Sequence, residues 1–471
     1  MIEQFRERLG ADAVLTAASD IAPYLKDHRG LFQGRASAVV LPRSTEQVSA
    51  VVALCNEQRI GIVPHGGNTS YCGAATPDAT GRQIVLALSR LNRIRCVDAQ
   101  SYVLVAEAGC ILANVQSAAD AAERFFPLSL GSQGSCHIGG NLATNAGGTN
   151  VLRYGMMRDL VLGLEVVLAD GRVLTSLSSL RKDNTGYDMK SLFLGAEGTL
   201  GVITAASLKL FPKQRSVATA FVAVPSVEAA VRLLAELREA SGDRLSSFEL
   251  IPRVGVELAT RHVAGVTDPL GAAHPWYVLC EVSSSRAAEP LAEMLQDALG
   301  QALERALVLD AALAQSERER AAFWRLRETV PEAQRRDGAS LKHDVSMPIG
   351  ALPQFVKAGA EWVTQHVPDG FLIAYGHVGD GNLHFNINQA PDADARAFLG
   401  RAPEVMRAIH DLVHSFGGSI SAEHGIGQLK LAELERYAPA VELDLMRALK
   451  RSLDPRGILN PGKVLRQESM S

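Results

Sequence analysis

The sequence predicts an α+β protein of two domains, and three observations support this. The chain has 471 residues, more than one hydrophobic core usually organises. Apolar content of 47% with 41 glycines and few aromatic residues is typical of a globular enzyme. Composition changes near Pro212, after which strand-like segments alternate with long helical ones. We predict a first domain over 1–214 with its core at 38–214, a second domain over 215–448, and a turn-rich segment over 449–471 that returns to the first.

Charge and targeting signals exclude several classes of protein. The net charge is −4 and no basic stripe is present, so we expect no nucleic-acid partner. No apolar run is long enough to span a bilayer, and the charged N-terminus with its acidic residues does not resemble a transit peptide. The six cysteines form no CxxC pair, which favours reduced thiols and no iron–sulfur cluster. These features predict a cytoplasmic protein.

Three glycine-rich segments in the first domain favour a bound cofactor; they lie at 64–73, 131–148 and 195–201. Glycine lets successive backbone N–H groups converge on an anion and lets the main chain approach a flat ring closely. The hydroxyls of Thr69 and Ser70 would add donors for a phosphate. No segment matches a Rossmann fingerprint or a P-loop, so NAD and ATP are disfavoured. The alternative is that these segments are ordinary tight turns. Three such segments within one domain favour the cofactor over this alternative.

Two histidines flank a Gly-Asp-Gly-Asn turn between strand-like segments in the second domain. A hairpin closed by this turn would bring His377 and His384 together across the ladder. Glu423 or His424 could then complete a site of imidazoles and a carboxylate, which suits zinc or another divalent metal. The alternative is a hairpin that the histidines simply cap.

Two cationic side chains of the second domain have ordinary explanations on the residue pattern alone. A helix over 316–330 is predicted to end at Pro331, and Arg327 in its last turns would be a solvated helical arginine. Strand-like alternation places Lys342 and Asp344 on one face, where they could form a surface ion pair.

Several segments together resemble the FAD domain of the vanillyl-alcohol oxidase superfamily, namely 42–48, 64–70, 127–132, 139–148 and 195–204. The histidine hairpin, the segment 423–425 and the closing segment 460–463 resemble one branch of that superfamily. That branch contains FAD-linked D-2-hydroxyglutarate dehydrogenases and D-lactate dehydrogenases. The resemblance extends from about residue 38 to residue 465, with the motifs in the same order.

The resemblance implies a two-domain PCMH-type FAD-binding fold, with an α+β substrate (cap) domain and a C-terminal segment that packs on the FAD domain. We also expect FAD to be bound without a covalent link, because no motif requires a flavin–protein bond and His65 lies in the phosphate-like loop, away from the expected position of the isoalloxazine ring. The residues that the resemblance assigns to the cofactor are Pro64, His65, Gly66, Gly67, Asn68, Thr69, Ser70, Pro127, Ser129, Gly131, Ser132, Gly139, Gly140, Asn141, Thr144, Asn145, Gly147, Gly148, Glu197, Gly198, Gly201, Ile203 and Asn460.

The resemblance implies a metal site and a base. His377, His384 and Glu423 match ligands of zinc or another divalent metal, and His424 matches the catalytic base. The alternative for His424 is a fourth metal ligand. A bound divalent cation lowers the pKa of a substrate hydroxyl, and a histidine has a suitable pKa to take the proton.

The resemblance also implies substrate contacts. Arg327 and Lys342 match groups that hold substrate carboxylates, and Asn386 and His424 line the pocket. Pro331 stands where the 2-hydroxyglutarate enzymes carry a threonine, so a hydroxyl donor is lost and the choice of substrate side chain is in doubt.

The implied activity is oxidation of a D-2-hydroxy acid to the 2-keto acid, with D-2-hydroxyglutarate first and D-lactate next. Metal-assisted deprotonation of the hydroxyl would accompany hydride transfer to flavin N5. A separate acceptor, an electron-transfer flavoprotein or a quinone-type molecule, would take the electrons, and a homodimer is compatible with this. One alternative is a flavoprotein of this fold acting on another alcohol or carbohydrate, or in a non-redox reaction. Another is a zinc hydrolase, which the glycine loops disfavour because hydrolysis needs no nucleotide.

Overall fold

A computed structural model describes residues 1–467, which form two compact units. The first unit contains Met1–Gly147, Gly155–Lys213 and the residues from Glu423 onward. The second unit contains Gly148–Tyr154 and Gln214–Ala422. This division differs from the predicted boundaries in two places. Residues 148–154 belong to the second unit, and the return to the first unit begins at Glu423 instead of residue 449.

Hydrogen bonds explain both differences. Arg153 donates from Nη1 to the carbonyl oxygen of Ser283, 2.6 Å away, which ties the short segment to the second unit. In the first unit, the backbone amides of Ile426 and Gly427 donate to the Glu197 carboxylate at 2.7 and 2.9 Å. Neither set of partners is adjacent in sequence, so composition along the chain gave no sign of them.

The first unit is built on two sheets. Its strands are β1 Val14–Leu15, β2 Ala38–Val40, β3 Gly61–His65, β4 Gln83–Ala87, β5 Ile94–Asp98, β6 Val103–Glu107, β7 Arg124–Phe125, β8 Val161–Val167, β9 Val173–Ser176, β10 Val202–Lys209 and β11 Phe211–Pro212. The first sheet has the order β1-β2-β4-β3, with β4 parallel to both β2 and β3. The second has the order β5-β6-β10-β8-β9 and is antiparallel throughout, and β7 pairs with β11.

The second unit contains two antiparallel sheets. Its strands are β12 Ser216–Val224, β13 Leu245–Pro252, β14 Trp276–Ser284, β15 Asp310–Leu313, β16 Ser340–Leu341, β17 Asp344–Ser346, β18 Gly370–Tyr375 and β19 Asn382–Gln389. One sheet has the order β13-β14-β12-β15. In the other, β19 pairs with β18 on one side and with β16 and β17 on the other. A bridge between Leu250 and Gly376 joins the two sheets.

Sixteen α-helices lie within residues 1–467: α1 Ile2–Leu9, α2 Ala18–Ile21, α3 Thr45–Gln58, α4 Leu112–Ala121, α5 Ile138–Ala143, α6 Val151–Tyr154, α7 Lys190–Phe193, α8 Val227–Ala240, α9 Arg253–His262, α10 Leu291–Glu304, α11 Glu317–Asp337, α12 Leu352–His366, α13 Ala395–Gly400, α14 Ala402–Ser415, α15 Leu431–Tyr437 and α16 Ala440–Leu453. Side-chain caps fix some starts; Ser44 accepts from the Gln47 amide at the start of α3. None of the helices in this range is long and apolar enough to cross a membrane.

The prediction that a helix ends at Pro331 is wrong, because α11 continues to Asp337. Proline removes one helical hydrogen bond, to the carbonyl of Arg327, but tertiary contacts hold the turns that follow it. Gln334 is fully buried there, and its side-chain oxygen accepts from the Tyr375 hydroxyl at 3.2 Å and from Asn386 Nδ2 at 3.1 Å. These long-range bonds were invisible to a local pattern.

Candidate active site

The predicted histidine hairpin is present. His384 on β19 is the register partner of Tyr375, the last residue of β18, and His377 lies two residues beyond it. The two imidazole ring centroids are 5.6 Å apart. The turn needs a glycine at Gly381, where φ is +88° and a Cβ would lie 2.4 Å from the Met347 carbonyl oxygen. Backbone geometry thus fixes the two imidazoles as a pair.

A carboxylate that the sequence analysis did not select lies behind His377. Oε1 of Glu249, on β13, is 2.6 Å from Nδ1 of His377. The other oxygen, Oε2, accepts from Nε of Arg327 at 2.8 Å and lies 2.8 Å from its Nη2. The bridge between Leu250 and Gly376 holds the two backbones side by side at this point. Glu249 therefore joins a predicted metal ligand to a predicted substrate-binding residue.

Arg327 is buried, so the interpretation as a solvated helical arginine is wrong. Only 6% of the residue is exposed, and its guanidinium carbon lies 5.0 Å from the centre of the Tyr375 ring. Its remaining nitrogen, Nη1, donates to no side chain or backbone within residues 1–467. Burial alone would raise the pKa of Glu249, but the charge of Arg327 and the hydrogen bonds of His377 and Arg327 outweigh it and hold that pKa below its usual value. Glu249 and Arg327 thus form a buried ion pair.

A row of polar residues lies on one face of the β19 sheet. β19 pairs with β16 and β17 in one continuous register, which places Lys342 opposite Asn386 and Asp344 opposite His384. The predicted single strand over this region is interrupted at residues 342–343 but keeps its alternation. Asp344 is buried, and its Oδ1 is 3.8 Å from Nδ1 of His384 and accepts from Nδ2 of Asn382 at 3.0 Å.

The second unit therefore gathers five of the predicted residues into one region: Arg327, Lys342, His377, His384 and Asn386. The ring contacts, the ladder register and the Gln334 bonds connect them. Gln334 and Glu249 were both missed. A single charged residue inside the otherwise uncharged strand 245–252 was the one available signal for Glu249.

The donor set of this region fits a divalent metal. A histidine whose Nδ1–H donates to a carboxylate carries its lone pair on Nε2, the form that binds metals. His377 has that carboxylate in Glu249 at 2.6 Å, whereas the Asp344 oxygen lies 3.8 Å from Nδ1 of His384, beyond hydrogen-bond distance. Two neutral imidazoles suit zinc, so these residues fit the metal that the sequence suggests.

Glu423 and His424 belong to the first unit, directly after Ala422, the last residue of the second. The backbone amide of Ala422 donates to the carbonyl oxygen of Asp344 at 3.3 Å. The His424 ring is 4.5 Å from the ring of Tyr71, centroid to centroid. Tyr71 lies within the first glycine-rich segment, 64–73, and was not selected from the sequence.

The loop after His424 is anchored by Glu197 within the first unit. The carboxylate of this buried residue accepts the two amides of Ile426 and Gly427 described above. Burial raises the pKa of Glu197 to about 7, although those amides lower it. Asn460 donates from Nδ2 to the carbonyl oxygens of Glu197 and Ala74 at 2.7 and 3.1 Å. Both residues therefore hold loops together, and their predicted contact with FAD stays a prediction.

The other predicted cofactor residues lie in the first unit, on loops, on α5 and at the ends of strands, except Gly148, which begins the short segment of the second. Residues 64–70 end β3 and the loop after it, 127–132 follow β7, 139–145 form α5 and its end, and 198–203 lead into β10. The loop at 64–70 and helix α5 are neighbours, since a Cβ on Gly66 would lie 3.7 Å from Cα of Gly140.

These loops fit a large polar ligand such as FAD. Buried polar atoms on these segments (His65 Nε2 and Asn141 Oδ1) and outside them (His137 Nδ1 and Asn460 Oδ1) have no hydrogen-bond partner within residues 1–467. A ligand with many donors and acceptors would satisfy such atoms, which otherwise cost free energy. Gly131 and Gly140 have open space on their Cβ side.

Comparison with known families agrees with this arrangement. Residues 36–176 match the family model described as FAD binding domain. Residues 213–464 match the model described as FAD linked oxidases, C-terminal domain.

Curated relatives match over nearly the whole chain. The mitochondrial D-2-hydroxyglutarate dehydrogenase of Arabidopsis thaliana is 38% identical over 465 residues, which are 98% of this chain and 81% of that protein. The mitochondrial D-2-hydroxyglutarate dehydrogenase of Bos taurus is 40% identical over 462 residues, 98% and 82% of the two chains.

Solved structures share the fold. The crystal structure of p-cresol methylhydroxylase with substrate bound superposes with a TM-score of 0.77 at 18% sequence identity, covering 99% of this chain and 96% of that one. The predicted α+β, two-domain PCMH-type fold is confirmed by this likeness.

Proposed function

Because this chain belongs to the family of FAD-linked oxidases and is a FAD-dependent oxidoreductase, we propose that it oxidises D-2-hydroxyglutarate to the 2-keto acid. The observation that carries this proposal is Arg327, a buried arginine whose Nη1 has no partner in the described chain and which lies in the unit that also contains the histidine pair. The names of the plant and bovine relatives support the same substrate.

We propose that two cations select a dicarboxylate. Arg327 binds one carboxylate through Nη1, since its other nitrogens already contact Glu249. Lys342, on the polar face opposite Asn386, binds the other carboxylate, and the Asn386 side chain lines the pocket. D-Lactate is the second candidate substrate, because it offers the same hydroxyl and one carboxylate without the distal group.

The proposed metal ligands are His377, His384 and Glu423, with zinc as the first choice. When bound, such a metal would lower the pKa of the substrate hydroxyl, and FAD would accept the hydride. His424 then takes the hydroxyl proton, and the Tyr71 ring beside it limits where its imidazole can turn. Glu197 holds the loop that follows His424 through two backbone amides.

Further properties stay proposals. FAD is bound without a covalent link, and a separate electron-transfer flavoprotein or quinone-type molecule reoxidises it. The cytoplasmic location is a prediction from the sequence, whereas the plant and bovine relatives are named mitochondrial. A homodimer is compatible with the proposal. The zinc hydrolase alternative is set aside because the chain is an oxidoreductase, while another alcohol or carbohydrate substrate would be revealed by the assay below.

The test is a turnover assay with an artificial dye acceptor and a panel of D- and L-2-hydroxyglutarate, D- and L-lactate, and unrelated alcohols. We expect the highest kcat/KM on D-2-hydroxyglutarate. His424→Ala should lower kcat by about two to four decades while FAD and metal stay bound. Turnover of L-acids alone would reject the stereochemistry, and loss of metal from His424→Ala would make His424 a ligand instead of a base.

A further inference from the structure

We propose that Glu249 is a positioning residue that holds His377 and Arg327 in place, one with each oxygen of its carboxylate. The inference rests on the proposed function, because it treats His377 as a metal ligand and Arg327 as a substrate-binding group. Its new element is a single carboxylate that serves both groups.

The contacts divide cleanly between the two oxygens. Oε1 lies 2.6 Å from Nδ1 of His377, whereas Oε2 takes Nε of Arg327 at 2.8 Å. All three residues are almost completely buried, so water cannot replace either partner. The paired backbone hydrogen bonds between Leu250 and Gly376, 2.8 and 3.0 Å long, hold β13 against the end of β18. The arrangement is therefore built by the fold and does not depend on a bound ligand.

Toward His377, the carboxylate selects a tautomer. A carboxylate accepts hydrogen bonds only, so Nδ1 carries the hydrogen and Nε2 carries the lone pair. This is the tautomer that coordinates a metal, and a carboxylate behind it raises the basicity of the ring. An amide at position 249 could instead donate to Nδ1, which would move the hydrogen to Nε2 and block coordination.

Toward Arg327, the carboxylate fixes direction. It occupies the edge of the guanidinium formed by Nε and Nη2, and the Tyr375 ring lies 5.0 Å from the guanidinium carbon. The two N–H groups of Nη1 and the second N–H of Nη2 are then the donors that are left for an anion.

A matched control exists on the neighbouring strand. Glu281, on β14, is also buried and also binds α11, since its Oε2 accepts from Arg320 at 3.0 Å and from Trp324 at 2.9 Å. It has no contact with a histidine among these bonds. A purely structural role for buried carboxylates under α11 would make Glu249→Gln and Glu281→Gln behave alike.

The experiment measures zinc affinity of the full-length holoprotein by competition with a chromogenic chelator, beside kcat and KM for D-2-hydroxyglutarate at saturating zinc. We expect Glu249→Gln to weaken zinc binding by about 10- to 100-fold, as for other residues that orient a metal ligand. We also expect KM to rise about tenfold at saturating zinc because Arg327 is no longer held. Glu281→Gln should leave both values unchanged, and Glu249→Asp, which keeps the charge, should bind zinc more tightly than Glu249→Gln.

The outcomes separate this inference from the proposed function. If wild type and Glu249→Gln bind zinc equally well, the proposed role of Glu249 is overturned while the metal proposal stands. Equal losses in Glu249→Gln and Glu281→Gln reduce Glu249 to a structural residue. Wild-type protein that turns over D-2-hydroxyglutarate without binding zinc overturns both the metal ligands and this inference. If Glu249→Gln does not fold, the same comparison is made with Glu249→Asp, whose shorter side chain cannot reach both His377 and Arg327; zinc affinity and KM that both equal the wild-type values would overturn the inference.

Discussion

Some charged side chains of the second unit are buried in pairs. When one member of such a pair is removed, the charge of the other stays buried without a partner. Loss of either member of the Glu249–Arg327 pair should destabilise the protein by about 3–5 kcal/mol, because the other charge stays buried. Arg327 variants therefore report stability as well as substrate binding, and the variants chosen below avoid this pair.

Lys342 tests the choice of a dicarboxylate. If its ammonium binds the distal carboxylate, Lys342→Met should raise KM for D-2-hydroxyglutarate by about 10- to 100-fold, the range expected for a lost charged hydrogen bond. KM for D-lactate should change little, since that acid has no distal group. Steady-state kinetics with both acids provide the measurement. Lys357→Met, at an exposed position on α12, is the control for loss of a positive charge. Equal losses on both acids would show that Lys342 does not read the side chain of the substrate.

His65 gives a prediction of pH dependence. Burial and the neighbouring His137 lower the pKa of His65 to about 4, from its usual value of 6.5. Between these two pH values the unfolded chain binds more protons than the folded one. The stability that the neutral His65 contributes is therefore fully present above pH 6.5 and is lost as pH falls toward 4. From pH 7.5 to pH 5 His65 should cost about 2 kcal/mol.

The measurement is the urea midpoint of wild type and His65→Asn at the two pH values. The variant lacks the titrating group, so its midpoint should fall less on acidification than the wild-type midpoint. Identical acid sensitivity in the two proteins would mean that His65 is protonated, or solvated, in the folded state.

Residues with local signatures were predictable from the sequence, and residues joined over long distances were not. His377 and His384 stood on either side of a recognisable turn, so their proximity followed from hairpin geometry. Glu249 reaches His377 across 128 positions and Arg327 across 78, and no spacing rule connects such residues. Gln334 was missed for the same reason.

At the scale of elements, α11 shows how tertiary contacts override a local breaker. Pro331 removes one helical bond, yet the buried residues Ala333 and Gln334 hold the following turn on the sheet. The sequence predicted one strand over residues 340–347. Its alternation of faces is correct, although the structure interrupts the strand between β16 and β17. Patterns of burial were thus more reliable than the ends of elements.

Pro331→Ala should stabilise the protein. The new backbone N–H can donate to the carbonyl of Arg327, and a proline inside a helix costs about 3 kcal/mol. The more flexible unfolded chain offsets about 1 kcal/mol of this gain, so a net increase of about 1–2 kcal/mol is expected from urea unfolding.

Pro353→Ala is the matched control, since Pro353 lies in the first turn of α12, where no helical bond from its nitrogen is required. We expect it to be neutral or slightly destabilising. A destabilised Pro331→Ala variant would indicate that the proline ring contributes packing that outweighs the lost hydrogen bond.

At the scale of the whole molecule, the order of the domains was predictable from the sequence. The residues at which the chain passes from one unit to the other were not. Family-wide motifs gave the FAD-binding fold, and the likeness to p-cresol methylhydroxylase confirms it. The return at Glu423 depends on Glu197, which binds amides about 230 positions away along the chain. Composition carries no record of such a contact.

Metal removal should separate the two cofactors. Chelation of the metal in the purified protein should abolish turnover of D-2-hydroxyglutarate while the yellow colour of FAD stays with the protein. The reason is that the proposed metal ligands are different residues from the glycine loops proposed to bind FAD. Zinc should restore activity, and elemental analysis should find less metal in Glu423→Gln. Full turnover by a preparation shown to contain no metal would end the metal proposal.

The central claim is that this flavoprotein takes a hydride from D-2-hydroxyglutarate, and anaerobic mixing of the purified protein with single acids tests it most directly. Without any acceptor, the visible absorbance of the flavin should bleach with D-2-hydroxyglutarate, more slowly with D-lactate, and not with the L-enantiomers. Acid precipitation of the same sample should release the flavin into the supernatant. A flavin that stays oxidised with every 2-hydroxy acid, but bleaches with an unrelated alcohol, would contradict the account.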